Sequence, residues 1–198
     1  MTVKTTTKDT NLENIKKDNP VKNTQSATTQ STASKADMTN PAADKPDKNA
    51  ETAILIKGEG VSKEVSITMS QIKAMKDQVA EYTYFSCGKE PKTACNTYKG
   101  VKLSYLLGLA NVKSTAQKVT IVAADGYTAT FSIIDVNAML MDETDSSKKL
   151  PMLIAFAEDG KMLNYGSGYN LRLVVGQKCE GDYNRQYWVS EVSCIIVK

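Results

Sequence analysis

The sequence predicts an α+β fold of mixed, largely antiparallel β-sheets with short helices, and three observations carry that expectation. Short apolar segments with strand-like alternation recur from residue 53 onward, each bounded by Gly, Asn or Asp. Two of those boundaries are Asp-Gly pairs, Asp125-Gly126 and Asp159-Gly160, a strong turn signal between paired strands. Helical spacing is confined to three short stretches, and these do not alternate with strands as a βαβ repeat requires.

Taken in order, Ala53–Gly58 reads as a first strand, and the alternation through Val61, Val65 and Ile67 makes it half of a hairpin. Thr68 with Gln71 three residues on is a capping box, so a helix is expected over about 69–79 on Ile72, Met75 and Val79. Tyr82–Ser86 is a strand, and residues 87–96 a loop by their Gly, Pro and Asn content. Residues 98–103 lead into a short helix over 104–110. Val119–Ala124 and Tyr127–Phe131 form a hairpin on the Asp125-Gly126 turn. Helical spacing over Ile133–Met141 makes Met139-Leu140-Met141 helix core. Strands follow at 152–157 and 171–176, then a polar loop over 177–186, and Trp188–Val192 with Ile195–Val197 close the chain. The expected total is seven or eight strands and three short helices.

Composition divides the 198 residues in two. Residues 1–50 hold no Phe, Tyr or Trp and are rich in Thr, Ser, Asn, Lys, Asp and Ala. Such a segment buries too little apolar surface to offset the ordering entropy of roughly 1–2 kcal/mol per residue, so it is read as a disordered tether. Residues 51–198 carry every aromatic side chain and suffice for one core. The net charge of +3 includes no clustered basic face, which excludes a nucleic-acid footprint. No apolar run is long enough for a transmembrane helix, and no signal peptide opens the chain. A Thr/Ser/Lys-rich spacer ahead of a compact domain nevertheless resembles that of a bacterial lipoprotein or surface protein. On that reading Met1 replaces a lost signal and membrane anchor, and the location is extracytoplasmic and cell-surface tethered.

Cys87, Cys95, Cys179 and Cys194 are the only cysteines, and there is no histidine. An exported domain with four cysteines admits two disulfides, and Cys87–Cys95 and Cys179–Cys194 are the candidate pairs. Neither spacing is that of a zinc knuckle. The acidic run Asp142-Glu143-Thr144-Asp145 could approach a calcium ion, but it lacks the EF-hand pattern and reads better as a solvated loop.

Several ordered motifs resemble one family. Phe85-Ser86-Cys87-Gly88 resembles the strand-end "C-x-G-N" loop of sulfite-oxidase-type molybdopterin-binding domains. The stretch Tyr98-Lys99-Gly100-Val101-Lys102-Leu103-Ser104-Tyr105-Leu106-Leu107 resembles its "W-x-G-V-x-L-x-x-L-L". Asp125-Gly126-Tyr127, Tyr169–Val175 and Trp188 with Ile195 resemble later landmarks of the same family. The resemblance covers roughly residues 53–198 and implies a sulfite-oxidase molybdopterin-binding-like fold. It also implies Cys87 as a thiolate ligand to molybdenum, with pterin phosphate and substrate oxyanion held by basic side chains.

This chain departs from the pattern in that clamp. It has two arginines only, Lys89 stands where the family prefers Asn, and Asn170 and Tyr98 replace a Pro and a Trp. An anion clamp would be rebuilt from Lys89, Lys92, Arg172, Lys178 and Arg185. The alternatives therefore stay open. Cys87 is a metal ligand or half of a disulfide, and Arg172 binds an anion or pairs with an acid such as Glu191. Trp188 reads as packing. The residue inventory favours no cofactor and a module that binds a small ligand or a cell-surface component. The resemblance favours a molybdopterin-dependent oxidoreductase. A thiol-redox role for Cys87 and Cys95 is weakest, because their spacing lacks the C-x-x-C geometry that lowers a thiol pKa.

Overall fold

The structure is a computed structural model that describes residues 52–89 and 93–198. The expected tether over 1–50 lies outside the described residues. In chain order the elements are β1 (Thr52–Lys57), β2 (Val65–Thr68), α1 (Met69–Ala74), β3 (Val79–Ser86), β4 (Ala94–Lys102), α2 (Leu103–Leu109), β5 (Lys118–Ala123), β6 (Thr128–Ser132), α3 (Ile133–Asn137), β7 (Leu153–Glu158), β8 (Lys161–Met162), β9 (Arg172–Val174), β10 (Val189–Ser190) and β11 (Val192–Val197). They make two sheets. One has the order β2-β1-β11-β5-β6, the other β10-β9-β7-β4-β3, with β8 paired to β7. All pairs are antiparallel except β1 with β11, which lie parallel.

Both Asp-Gly turns form as expected. Asp159 and Gly160 have φ of 47° and 76°, the left-handed backbone that joins β7 to β8 tightly. The capping box of α1 is also present: the Gln71 N–H donates to Thr68 Oγ1 and the Thr68 N–H to Gln71 Oε1. The helix is shorter than the sequence predicts. It stops at Ala74, and a 3₁₀ turn over Lys76–Gln78 follows. Val79 is drawn instead into a ladder with Val101, so strand pairing overrides the helical spacing. The expectation for Ile133–Met141 is corrected in the same way. Helix α3 ends at Asn137, Leu140 bridges Leu150, Met141 bridges Gln177, and Met139 is half exposed. Of the three, only Leu140 is fully core. Strand β8, two residues long, is too short for any periodicity and lies outside the expected strands, whereas β9 falls inside the strand expected over 171–176 and β10 inside the closing segment from Trp188.

The uninterrupted apolar run of β7 has a simple cause. It lies between β4 and β9, and both of its faces are covered. Ile154 and Phe156 join the main core with Ile54, Ile56, Leu106 and Ile195. Leu153 and Ala155 face a second, smaller cluster with Tyr84, Tyr98, Leu163 and Val174. That second face, aromatic and capped by Trp188, carries the candidate site.

Candidate functional site

Side chains on four adjacent strands meet on that face. Tyr98 of β4 is in register with Glu158 at the end of β7, and Ser190 of β10 with Arg172 of β9. Tyr98 Oη donates to Glu158 Oε1 at 2.7 Å. Arg172 Nη1 donates to Glu158 Oε2 at 3.0 Å and to Tyr98 Oη at 3.3 Å, and its Nε donates to Ser190 Oγ at 3.2 Å. The guanidinium also lies over the rings of Tyr165 and Tyr98, at 5.6 and 6.0 Å from the centroids, within cation–π range. Burial and the bond to Glu158 push the Tyr98 phenol well above its ordinary pKa, so it stays a donor. Burial alone would lower the Arg172 pKa, but Tyr165, Tyr98 and Glu158 outweigh it and hold the guanidinium charged.

This network forms one wall of a cavity of about 190 Å³, completed by Ser86, Asn96, Arg185 and Trp188. Trp188 stands edge-on to Tyr98 and Tyr84 and donates its indole N–H to the Val175 carbonyl at 2.9 Å. It is packing, as the sequence suggests, but packing that shapes the cavity.

Cys87 follows directly after β3, half-buried, on a backbone held from both sides. Its N–H donates to Asn184 Oδ1 at 2.9 Å, and its carbonyl accepts from the Arg185 N–H at 3.1 Å. Asn184 is fully buried and donates its Nδ2 to the carbonyls of Phe85 and Val175 at 2.8 and 3.0 Å. One side chain thus pins the end of β3 to the segment after β9. Sequence reasoning missed Asn184 because the 177–186 stretch looks like an ordinary polar loop. Glu158 was missed too, although an acid closing an otherwise apolar strand is a visible signal.

The basic residues named from the sequence do not form one clamp. Arg172 and Arg185 share the cavity. Arg172 pairs with Glu158 rather than Glu191, since Glu191 occupies a left-handed turn position (φ 54°) between β10 and β11. Lys89 is exposed two residues beyond Cys87. Lys92 lies outside the described residues. Lys178 is tied to Asp135 of α3 at 3.1 Å and lines no part of the cavity. Burial would raise the Asp135 pKa, but hydrogen bonds from Lys178 and Ser132 outweigh it and hold the carboxyl below its usual range. A depressed carboxylate contributes stability above its unfolded pKa and loses it as the pH falls through its folded value. Lys178→Ala is therefore expected to lower stability by at most about 1 kcal/mol near neutral pH, the pair being partly exposed. Thermal melts of the two proteins from pH 7 down to pH 3, read as roughly equal at the acid end, check this.

The four cysteines are free, and neither expected bridge is formed. Cys95 lies opposite Phe85, two steps along the ladder from the position facing Cys87. Such diagonal neighbours sit about 7–8 Å apart, beyond the roughly 4 Å between Cβ atoms that a disulfide needs. Cys194 is locked within β11, in register with Leu55 and Val122, while burial raises its thiol pKa. Cys179 is exposed in a loop whose neighbouring N–H groups, of Lys178 and Gly181, donate to Asp182 and Glu143. The acidic run is not a solvated loop throughout. Asp142 is buried and accepts from Thr144 and Lys148, so its oxygens are already occupied. Among the described residues no group of three or more acids or cysteines converges as a metal site.

Comparison with known proteins places this architecture. The fold is similar to that of the sulfane dehydrogenase SoxCD from Paracoccus pantotrophus, with a TM-score of 0.53 and 20% identity. The likeness covers 73% of this chain, which spans only 37% of that one, so it speaks to the fold alone. No curated protein matches the chain. Residues 41–195 match the family described as the oxidoreductase molybdopterin binding domain, and with the two-sheet fold and the strand-end Cys87 already in view, the chain belongs to that family.

Proposed function

We propose that this chain is an exported binding module, a molybdopterin-binding-type domain with a degenerate cofactor site that takes a small polar ligand in the Arg185 cavity. The observation that carries the reading is the Arg172–Glu158 ion pair. A bound pterin phosphate or substrate oxyanion calls for free, convergent cationic groups. Here one of the two arginines is neutralised by a carboxylate in the same cavity, stacked between tyrosines and hydrogen-bonded to Ser190. The cavity, at about 190 Å³, is below the ~300 Å³ at which pockets for drug-sized ligands begin. Cys87 is not among its lining residues. These residues do not fit the molybdopterin group. Residues 1–50, by composition, serve as an extracytoplasmic tether, and the ligand is a small molecule or a group on a cell-surface component.

A second reading, a molybdopterin-dependent oxidoreductase with Cys87 as the metal ligand, is favoured by one feature: the free, half-buried thiol on a backbone clamped at both its N–H and its carbonyl. The metal content separates the two. Protein made anaerobically with molybdate, in a host that synthesises the cofactor, is expected to carry molybdenum far below one per chain, with no pterin fluorescence after acid oxidation. A ratio near one would sink the binding-module reading.

A further inference from the structure

We propose that Glu158 is the specificity-determining residue of the cavity: its carboxylate occupies the anion seat beside Arg172 and so excludes doubly charged oxyanions. The inference rests on the reading above, that this cavity is the ligand seat. Both Glu158 oxygens are engaged, one by Tyr98 Oη and one by Arg172 Nη1, the geometry an external oxyanion would adopt on the same donors. Charge-assisted bonds of this kind are the strong ones. An incoming anion must therefore displace a tethered competitor whose local concentration is fixed by the fold. Tyr98 and Glu158 are strand neighbours, so the carboxylate is held in place by β4–β7 register rather than by a mobile loop.

What remains is Arg185, which makes no ion pair among the described residues and shares the cavity with Asn96 and Ser190. Among the described residues the cavity then offers one positive charge outside any ion pair, beside neutral polar groups. That composition suits a singly charged or neutral polar ligand, such as a monocarboxylate. It is unsuited to phosphate, sulfate or a phosphate ester.

The experiment titrates inorganic sulfate and inorganic phosphate into the full chain and into Glu158→Gln, by isothermal calorimetry at constant ionic strength. Gln keeps the size and one acceptor for Arg172 but removes the charge. Wild type is expected to show no saturable binding. Glu158→Gln is expected to show saturable binding roughly tenfold or more tighter than the weakest affinity the titration detects, since two arginines then face an anion with no competing carboxylate. That gain is expected to vanish in Glu158→Gln/Arg185→Met. Circular dichroism and the melting temperature of each variant confirm that the fold persists. Saturable sulfate binding by wild type that is lost in Arg172→Met would overturn the proposal. So would a folded Glu158→Gln that gains nothing. The second failure leaves the binding-module reading standing, whereas stoichiometric molybdenum in wild type ends that reading whatever Glu158→Gln does.

Discussion

Replacing Gly100 with alanine is expected to cost roughly 3 kcal/mol or more of folding stability, from a single added methyl group. A Cβ at this position would stand 2.2 Å from the Ile154 carbonyl oxygen and 2.6 Å from the Ala155 Cα. Both are backbone atoms of β7, so no side chain can swing aside to relieve the clash. The close approach arises because the β4–β7 ladder shifts register between Lys99 and Gly100. That irregularity lies next to the Tyr98–Glu158 pair, so it also sets where the cavity wall stands. Forcing β4 away from β7 should therefore disturb the site along with the core. Urea denaturation of Gly100→Ala beside Gly108→Ala makes the comparison direct. Gly108 lies in α2 with nothing within 4 Å of its Cβ position. There alanine removes a helix-interior glycine and should stabilise by up to about 1 kcal/mol. A Gly100→Ala midpoint near that of wild type would show that the two strands can separate without loss.

The second large effect is expected from Asn184→Ala. Asn184 is fully buried and satisfies the Cys87 N–H, the Phe85 carbonyl and, with Trp188, the Val175 carbonyl. Alanine leaves the first two without this partner and opens a small void. At about 1–3 kcal/mol per buried polar group left unmade, the loss should be on the order of 3 kcal/mol. The more informative readout is the Cys87 thiol. With its N–H released, the end of β3 is no longer pinned, and alkylation of Cys87 by iodoacetamide should accelerate several-fold under conditions where the protein stays folded. Mass spectrometry of the modified peptide, with Cys95 as the exposed reference, measures this. A destabilised variant whose Cys87 reacts at the wild-type rate would mean that Arg185 alone holds the loop.

These two residues show unequal legibility. Gly100 sits inside a motif that the sequence displays, Tyr98–Leu107, and its neighbours predict a strand running into a helix. Nothing within that motif reveals that Ile154 lies against it. Asn184 sits in a stretch with no pattern, because its role is to bond three backbone groups from distant parts of the chain. Its identity makes it neither apolar nor periodic, so composition reads it as loop. The cysteines fail for a related reason. Spacing along the chain made Cys87–Cys95 look easy to bridge, while the ladder register sets the two apart.

What the amino-acid sequence by itself determined was local: the Asp-Gly turns, the Thr68–Gln71 capping box, the strand segments and the domain class they add up to. These depend on neighbours within a few residues, where backbone preference and side-chain period act directly. Only the tertiary structure decided that β1 and β11 pair side by side, that α1 and α3 end early, and that Arg172 is matched with Glu158 instead of Glu191. Each of those outcomes is a competition between partners far apart in the chain, settled when the sheets close and burial leaves one arrangement with its polar groups satisfied.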